Sequence, residues 1–454
     1  MSVADQEPQP APTAVSFAQA LRFWLKLGFI GFGGPAGQIA LMHAELVERR
    51  RWISERRFLH ALNYCMLLPG PEAQQLATYL GWLMHRTRGG LAAGLLFVLP
   101  SLLILITLSW VYLRWGSTPL VAGVFYGLKP AVVALVLHAG WRIGRRALNN
   151  RWMVALAAAS FVALFVFDVP FPAIVLAAGL IGHFGARLAP QVFALGGQAG
   201  AGAGAAGAPA ARALIDDDTP TPAHALVSRA RLLRVAAAGL GLWLAAMAAL
   251  VASQGWAGTL TQMGWFFTKA ALVTFGGAYA VLPYVYQGAV EQFQWLSGPQ
   301  MIDGLALGET TPGPLIMVVA FVGFLGGWQQ QVLGADAVFA AGALAAVVVT
   351  FFTFLPSFIF ILAGGPLVEA TRGRLGFTAP LSAITAAVVG VIGTLALFFA
   401  GHVLWPKGMQ GPFDASAAAI TLAAVLALWR FKLGVLPLLG GAALLGLAAQ
   451  ALAR

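Results

Sequence analysis

Residues 23–71 read FWLKLGFIGFGGPAGQIALMHAELVERRRWISERRFLHALNYCMLLPGP, and residues 266–314 read FFTKAALVTFGGAYAVLPYVYQGAVEQFQWLSGPQMIDGLALGETTPGP, so the two align without a gap at an offset of 243 residues. Thirteen of the 49 positions are identical: Phe23/Phe266, Lys26/Lys269, Phe32/Phe275, Gly33/Gly276, Gly34/Gly277, Val47/Val290, Glu48/Glu291, Trp52/Trp295, Ser54/Ser297, Leu62/Leu305, Pro69/Pro312, Gly70/Gly313 and Pro71/Pro314. Composition alone would give about four. The matches concentrate on Gly, Pro, Trp, Lys and Glu, which set backbone geometry or carry charge, so apolar bias does not produce them. The chain contains two copies of one unit. A weaker echo follows at a shifted offset of 256, Leu99-Pro100-Ser101 against Leu355-Pro356-Ser357.

Around the repeat, the composition is that of a membrane protein. Of 454 residues, 59% are hydrophobic and 9% charged, with a mean hydropathy of +0.82; a soluble domain carries roughly 25% charged residues. Apolar runs long enough to span a bilayer recur, as in Leu91–Val111, Leu120–Leu137 and Ala335–Leu362. Strands of alternating polarity are missing, which excludes an outer-membrane barrel. The net charge of +11 sits in short loops between apolar spans, a positive-inside signature rather than a nucleic-acid surface. The single Cys65 excludes an internal disulfide or a multi-Cys metal site. The first 15 residues lack the pattern of a removable signal peptide.

Each copy begins with two Gly/Pro-broken segments, about 17–50 and 58–87, then 258–292 and 298–328. Four plain apolar helices follow in each: about 91–113, 119–140, 151–167 and 172–188, then 336–362, 378–400, 413–430 and 434–451. Between the copies lie a Gly/Ala-rich stretch (195–211) expected as a flexible linker, the acidic patch Asp216–Asp218, and one extra helix near 233–253. The expected organisation is an N-terminal unit over 1–188, a linker with one inverting helix over 189–257, and a C-terminal unit over 258–454. The fold class is all-α: a polytopic membrane protein of two inverted-topology repeats, with about 13 membrane segments including broken, re-entrant helices. One odd helix turns the second copy over, and charge agrees. Arg49, Arg50, Arg51, Arg56 and Arg57 fill the first hairpin loop, whereas 292–300 holds no Lys or Arg. Arg142, Arg145, Arg146, Arg151, Arg229, Arg231, Arg234, Arg372, Arg374, Arg430 and Lys432 fall on the same side as that cluster, with Lys407 the main exception. This places the N-terminus in the cytoplasm and the C-terminus in the periplasm.

Helix breaks in lipid are costly unless they line a cavity. Four occur here in two related pairs: Phe32-Gly33-Gly34-Pro35 with Phe275-Gly276-Gly277, and Pro69-Gly70-Pro71 with Pro312-Gly313-Pro314. A helix restarting at each presents free N–H groups and a positive dipole end, which suits an anion. The plainer alternative is a set of kinks in packed helices. Lys26 and Lys269 stand six residues before each Phe-Gly-Gly and are candidate substrate ligands, or else lysines that snorkel to an interface. Thr310 and Thr311 offer hydroxyls to an oxyanion or back-bond within their helix. Glu72, Gln74 and Glu309 near the breaks, the repeat-paired Glu48 and Glu291, and Lys129 before Pro130 are candidates for coupling or gating. His43, His60, His85 and His138 lack metal-ligand spacing. No nucleotide-binding or hydrolase motif appears, so no catalytic residue, metal or cofactor is expected and the chain is read as not an enzyme.

At these residues the sequence resembles the chromate transporter family in its long, two-domain form. Gly31-Phe32-Gly33-Gly34-Pro35 and Leu68-Pro69-Gly70-Pro71-Glu72-Ala73-Gln74-Gln75 carry the resemblance, repeated as Phe275-Gly276-Gly277 and Thr311-Pro312-Gly313-Pro314. It implies a carrier in the bacterial inner membrane that exports chromate and confers chromate resistance. Expected partners are chromate, its structural mimic sulfate, the lipid bilayer and a second copy in a homodimer, with no nucleic acid. The alternatives left open are a carrier of sulfate or another anion, and a membrane enzyme or scaffold. The sequence departs from the motif at Ala278, where the first copy has Pro35.

Overall fold

The structure is a computed structural model that describes residues 14–188, 212–370, 378–408 and 410–452. The Gly/Ala-rich stretch 195–211, Arg372 and Arg374 lie outside the described residues. The fold is all-α; among the described residues one isolated bridge, Ile53 to Ile215, is the sole β pairing. The first half runs α1 (Phe17–Ile30), α2 (Gly34–His43), α3 (Glu55–Leu67), α4 (Glu72–Trp115), α5 (Pro119–Ala147), α6 (Arg151–Phe165) and α7 (Phe171–Leu188). After α8 (Arg229–Gln254), the second half runs α9 (Thr259–Leu272), α10 (Ala278–Tyr286), α11 (Gly298–Thr310), α12 (Val318–Gln329), α13 (Val338–Ala370), α14 (Thr378–Leu404), α15 (Ala415–Trp429) and α16 (Val435–Leu452). Among the described residues seven helices (α4, α5, α7, α8, α13, α14 and α16) are long and apolar enough to cross a membrane; α6 and α15, 15 residues each, are shorter apolar helices.

The two halves repeat down to their irregularities. α2 and α10 both run on into a π-helical turn, Ala44–Arg49 and Gln287–Gln292. Arg51 and Gln294, equivalent at the 243-residue offset, share a positive φ of 51°. Ser54 and Ser297, another identical pair, cap α3 and α11 by accepting from the N–H of Arg57 and Gln300. That cap satisfies one of the donors a helix start leaves orphaned. α4 contains a sharp turn at His85 and Arg86 (φ 58° at Arg86), which divides it into a short returning limb and a long crossing limb. The sequence places a boundary between about 87 and 91, and the chain leaves helical φ/ψ just before it, at His85 and Arg86.

Contacts sort these elements into two ends. His85 bonds Val15 O, His224 bonds Trp82 O, and Ser54 N donates to Ile215 O. The start of α1, the end of α2, the start of α3 and the turn in α4 therefore share one end, with the Arg49–Arg57 cluster. At the other end Tyr112 bonds Asp303, Gln254 bonds Val332 O, and Trp110 packs on Phe339. Each pair α1/α2, α3/first limb of α4, α9/α10 and α11/α12 thus enters from one end and turns back. An α-helix rises about 1.5 Å per residue, so a 14-residue α1 reaches only part-way through a bilayer about 30 Å thick. The hairpins of the first half enter from the Arg-rich end and those of the second half from the opposite end. Beside these four hairpins, the described residues hold the seven helices long and apolar enough to cross a membrane, with α6 and α15 as shorter apolar helices.

The joining segment is partly fastened. Residues 212–228 lie along the first hairpin loop: Leu214 N and Ile215 N donate to Arg51 O and Trp52 O, and Ser54 Oγ donates to Asp217 at 2.6 Å. The acidic patch expected in a free linker is drawn onto the arginine loop, with Arg56 3.8 Å from Asp217.

Gly70 and Gly313 hold φ of 128° and 103° where the hairpins turn. A Cβ on Gly70 would stand 2.2 Å from Ser357 Oγ, and one on Gly313 2.8 Å from Ser101 Cβ. Backbone strain of this kind costs about 1–3 kcal/mol. Gly70→Ala is expected to lower the melting temperature of the purified protein in detergent by several degrees, with part of the loss recovered by adding Ser357→Gly, which removes the closest contact and leaves the φ penalty and the 2.6 Å approach to Gln75 Nε2. Equal melting of Gly70→Ala and wild type would refute this packing.

Candidate functional site

The four breaks meet in the middle of the molecule, each against a break of the other half. Gly70 N donates to Thr274 O at 2.8 Å, and Gly313 N donates to Gly31 O at 2.9 Å. Gly31 and Thr274 are equivalent at the 243-residue offset, as are Gly70 and Gly313. The two bonds are therefore one contact made twice about a pseudo-two-fold axis. Ser101 and Ser357 of the Leu-Pro-Ser echo continue this exchange by packing against Gly313 and Gly70. The glycines Gly33, Gly34, Gly276 and Gly277 all carry positive φ, 87°, 66°, 80° and 93°. Gly33 and Gly277 are the N-caps from which α2 and α10 restart, with Pro35 in the first turn of α2 and Ala278 opening α10. Pro71 and Pro314 are the N-caps of α4 and of the 3-10 turn Leu315–Met317 that leads into α12.

Polar side chains fill in around the crossing. Gln38, fully buried on α2, donates from Nε2 to both Gly31 O (3.0 Å) and Gly313 O, and so holds the first crossing. Gln75 Nε2 donates to Pro69 O at 2.8 Å and reaches Ser357 Oγ at 3.4 Å. Gln74 Nε2 donates to Thr78 at 3.0 Å. The amide oxygens of Gln38, Gln74 and Gln75 and the hydroxyl of Ser101 are buried with no protein partner among the described residues. Such buried polar capacity is unusual in a packed core.

Charge gathers on the second crossing. Glu72 opens α4, and its carboxylate lies 3.9 Å from the position of a Cβ on Gly277, between the starts of α4 and α10. Glu309, buried at the end of α11, accepts a hydrogen bond from Tyr279 OH on α10. Arg142, on the last turns of α5, acts electrostatically on Glu72, Glu309 and Tyr279 together. The sequence assigns Arg142 to a loop; α5 runs to Ala147 and carries it inward instead.

The remaining candidates lie elsewhere. Lys26 is exposed on the outer side of α1, opposite the buried Phe23, Trp24 and Leu27. Lys269 stands over the Trp265 ring at 5.8 Å and lines a cavity of about 250 Å³ with Trp256, Gln262 and Gln292. Thr310 and Thr311 back-bond to Leu307 O (2.8 Å) and Gly308 O (3.0 Å). Lys129 pairs with Asp303 at 3.3 Å. Glu48 lies 3.2 Å from His43 at the Arg-rich end, and Glu291 is exposed at the opposite end. Gln38, Tyr279, Asp303 and Arg142 are absent from the sequence-derived candidates. The repeat equivalents are Val281 for Gln38, Ala36 for Tyr279 and His60 for Asp303, so selection by repeat identity passes over them. Their detectable signal is a lone polar side chain in an apolar helix.

Comparison with known proteins agrees with this architecture. The profile described as chromate transporter matches residues 18–183 and 261–447, one stretch in each half. The chain is 30% identical to a chromate transport protein of Cupriavidus metallidurans over 97% of its own length and 95% of the relative's. It is 32% identical to a chromate transport protein of Pseudomonas aeruginosa over 97% and 94%, and 28% identical to a probable chromate transport protein of Synechococcus elongatus over 92% and 91%. No solved structure matches. With both halves matched by the profile and relatives covered nearly end to end, the chain belongs to the chromate transporter family, a family of multi-pass membrane transporters and not of enzymes.

Proposed function

We propose that the protein exports chromate, a divalent tetrahedral oxyanion, from the cytoplasm across the bacterial inner membrane by secondary active transport, and so confers chromate resistance. The observation that carries this reading is the meeting of four helix breaks at the centre of two inverted halves, in a chain whose relatives are named chromate transport proteins. Transporters of inverted repeats bind their cargo where broken helices face each other at the repeat interface. The units 1–188 and 258–454 are the two halves, joined by 189–257. The Arg-rich end is cytoplasmic, which puts the C-terminus in the periplasm.

The anion sits between the restarts of α2, α4, α10 and α12, held by backbone N–H groups near Gly33, Gly34, Pro35, Gly70, Pro71, Gly276, Gly277, Gly313 and Pro314, with Thr310 and Thr311 at its edge. The C-terminal ends of α1 and α9, which would repel an anion, spend their carbonyls at Gly31 and Thr274 on the crossing bonds. Lys26 and Lys269 act as approach charges rather than direct ligands, because neither bonds to a break among the described residues. Arg142 supplies a positive charge that acts on both Glu72 and Glu309. Glu72, held between two helix starts, occupies the position a dianion would prefer. Discharge of that carboxylate by a proton frees the dipole ends for cargo, which links proton and anion movement; Glu309 does the same from the other half. Gln74 lines the path beside them. An inside-negative potential of 100 mV favours export of two negative charges by about 4–5 kcal/mol, so voltage is the main driver and the proton a modulator. Donors of this kind read charge and shape, so sulfate competes with chromate.

In proteoliposomes of the purified protein, labelled chromate is expected to move several-fold faster when a potential pulls anions out of the side bearing the arginine loop, with sulfate slowing it. No flux of either anion under any gradient would defeat the transport reading, and faster chromate accumulation in expressing cells would reverse its direction. Glu72→Gln and Glu309→Gln are each expected to abolish the response of flux to an imposed pH gradient and to retain the response to voltage. A pH response equal to wild type in both variants would remove these carboxylates from coupling.

A further inference from the structure

Two polar clusters join the halves at opposite ends of the molecule, and their composition is the same. At the Arg-rich end Tyr79 OH donates to Glu369, and Arg57 lies 4.0 Å from the other oxygen of the same carboxylate. Beside them His60 Nε2 stands 2.8 Å from Val368 O. At the far end Tyr112 OH donates to Asp303 at 2.8 Å, and Lys129 Nζ lies 3.3 Å from the same oxygen. Each cluster is a tyrosine, a carboxylate and a cation. In each, the first half supplies the tyrosine and the cation, and the second half supplies the acid.

Their positions are related by the pseudo-two-fold axis. Asp303 is the equivalent of His60 at the 243-residue offset, and Tyr112 is the equivalent of Val368 at the 256-residue offset of the Leu-Pro-Ser echo. The contact of α3 with α13 at one end is thus the same contact as that of α11 with α4 at the other. The residues differ, since neither triad is copied by the repeat, yet each end has acquired the same chemistry. The side chains of Arg57, Glu369 and Asp303 are 4%, 4% and 5% exposed. Removing such charges from water costs about as much as the pairing returns, so stability alone is a poor reason to have two. A pair whose closed and hydrated states nearly balance is suited to opening.

We infer that these triads are two locks, Arg57–Glu369–Tyr79 on the Arg-rich side and Lys129–Asp303–Tyr112 on the other, which open in turn to expose the central breaks to one side at a time. The inference rests on the transport reading above. Both locks are closed in this structure, which is the occluded state of the cycle. Each bridges the two halves, so rocking one half against the other separates one pair and keeps the other. The strap at 212–228 stiffens the first lock from outside, because Arg57 also donates to Thr219 O at 2.6 Å.

The test uses the full chain with Cys65→Ala, which leaves no native thiol. Two variants add Arg57→Cys with Glu369→Cys, or Lys129→Cys with Asp303→Cys; a control adds Arg212→Cys with Asp218→Cys in the strap. Each is reconstituted and treated with a short bis-methanethiosulfonate, with bridge formation read by mass spectrometry and chromate flux measured before and after. Bridging either lock pair is expected to cut flux at least tenfold, with recovery on reduction, and the control bridge to leave flux within twofold. Turnover with chromate should also speed bridging of both lock pairs, since Arg57, Glu369 and Asp303 are buried and a bridge to their positions forms only when the lock opens. Flux that continues through a formed lock bridge overturns the proposal, as does failure of the lock pairs to react during turnover while the control pair does. Absence of flux in the unbridged control would count against transport itself and not against the locks.

Discussion

A helix that stops inside an apolar layer leaves N–H and C=O groups that neither its own turns nor water can satisfy. Among the described residues four helices stop there and four start, and the two halves are joined across them by the bond from Gly70 to Thr274 with its twin from Gly313 to Gly31. Each half supplies the donor that the other half's broken end lacks. Each break is thus closed partly by its own half, as by Gln38 and Gln75, and partly by the other, so association of the two belongs to the fold rather than being added to it. The glycines follow from the same constraint. The chain must turn at positive φ with a serine of the opposite half against its α-carbon, and any Cβ there meets that serine.

From that exchange the wider architecture becomes necessary. A contact made twice in opposite sense requires two inverted copies, and inverting a copy requires an odd number of crossings between them. α8 supplies the odd helix, and among candidate spans it is the least buried, with 6% of its window inside the protein. Its role is topological, and it packs on the outside of α13 accordingly. The long limb of α4 and α13 lie where the breaks cross, each with a proline, Pro100 or Pro356, just before the serine that faces a glycine.

Much of this was legible because the repeat marks residues that perform backbone work. Ser54 and Ser297 cap, Gly70 and Gly313 turn, and the arginine loop sits opposite its uncharged counterpart; type and spacing alone disclose these. The sequence is silent on which break faces which, since that depends on the packing of α4 against α13 across hundreds of residues. It is equally silent on residues that serve only one half. Gln38 matches Val281 and Asp303 matches His60, so the filter that finds the breaks discards the side chains that furnish them. Lys26 shows the converse. It is identical in both copies, yet one copy faces outward and the other a cavity among tryptophans.

That difference between backbone and side chain explains why the halves do not share the work. The backbone crossings are symmetric, but their chemistry is divided. At the crossing of Gly31 with Gly313 the polar group is a neutral amide, Gln38. At the crossing of Gly70 with Thr274 stand Glu72, the Glu309–Tyr279 contact and the influence of Arg142. The equivalent of Glu72 is Leu315, where the chain makes a 3-10 turn and delays the start of α12 to Val318. Pro35 against Ala278 has the same sense, since the first turn of α2 carries a residue that lacks an N–H where α10 opens with one that has it. One crossing thus restarts with fewer donors and with Leu315 in place of a carboxylate, and the other restarts with more donors and Glu72. On the transport reading proposed above, a dianion held between the two is gripped unequally, and the crossing that carries Glu72 is the one able to change its grip by gaining or losing a proton. On that reading, symmetry sets where the ends of the path are, and asymmetry sets which side of the cargo can let go.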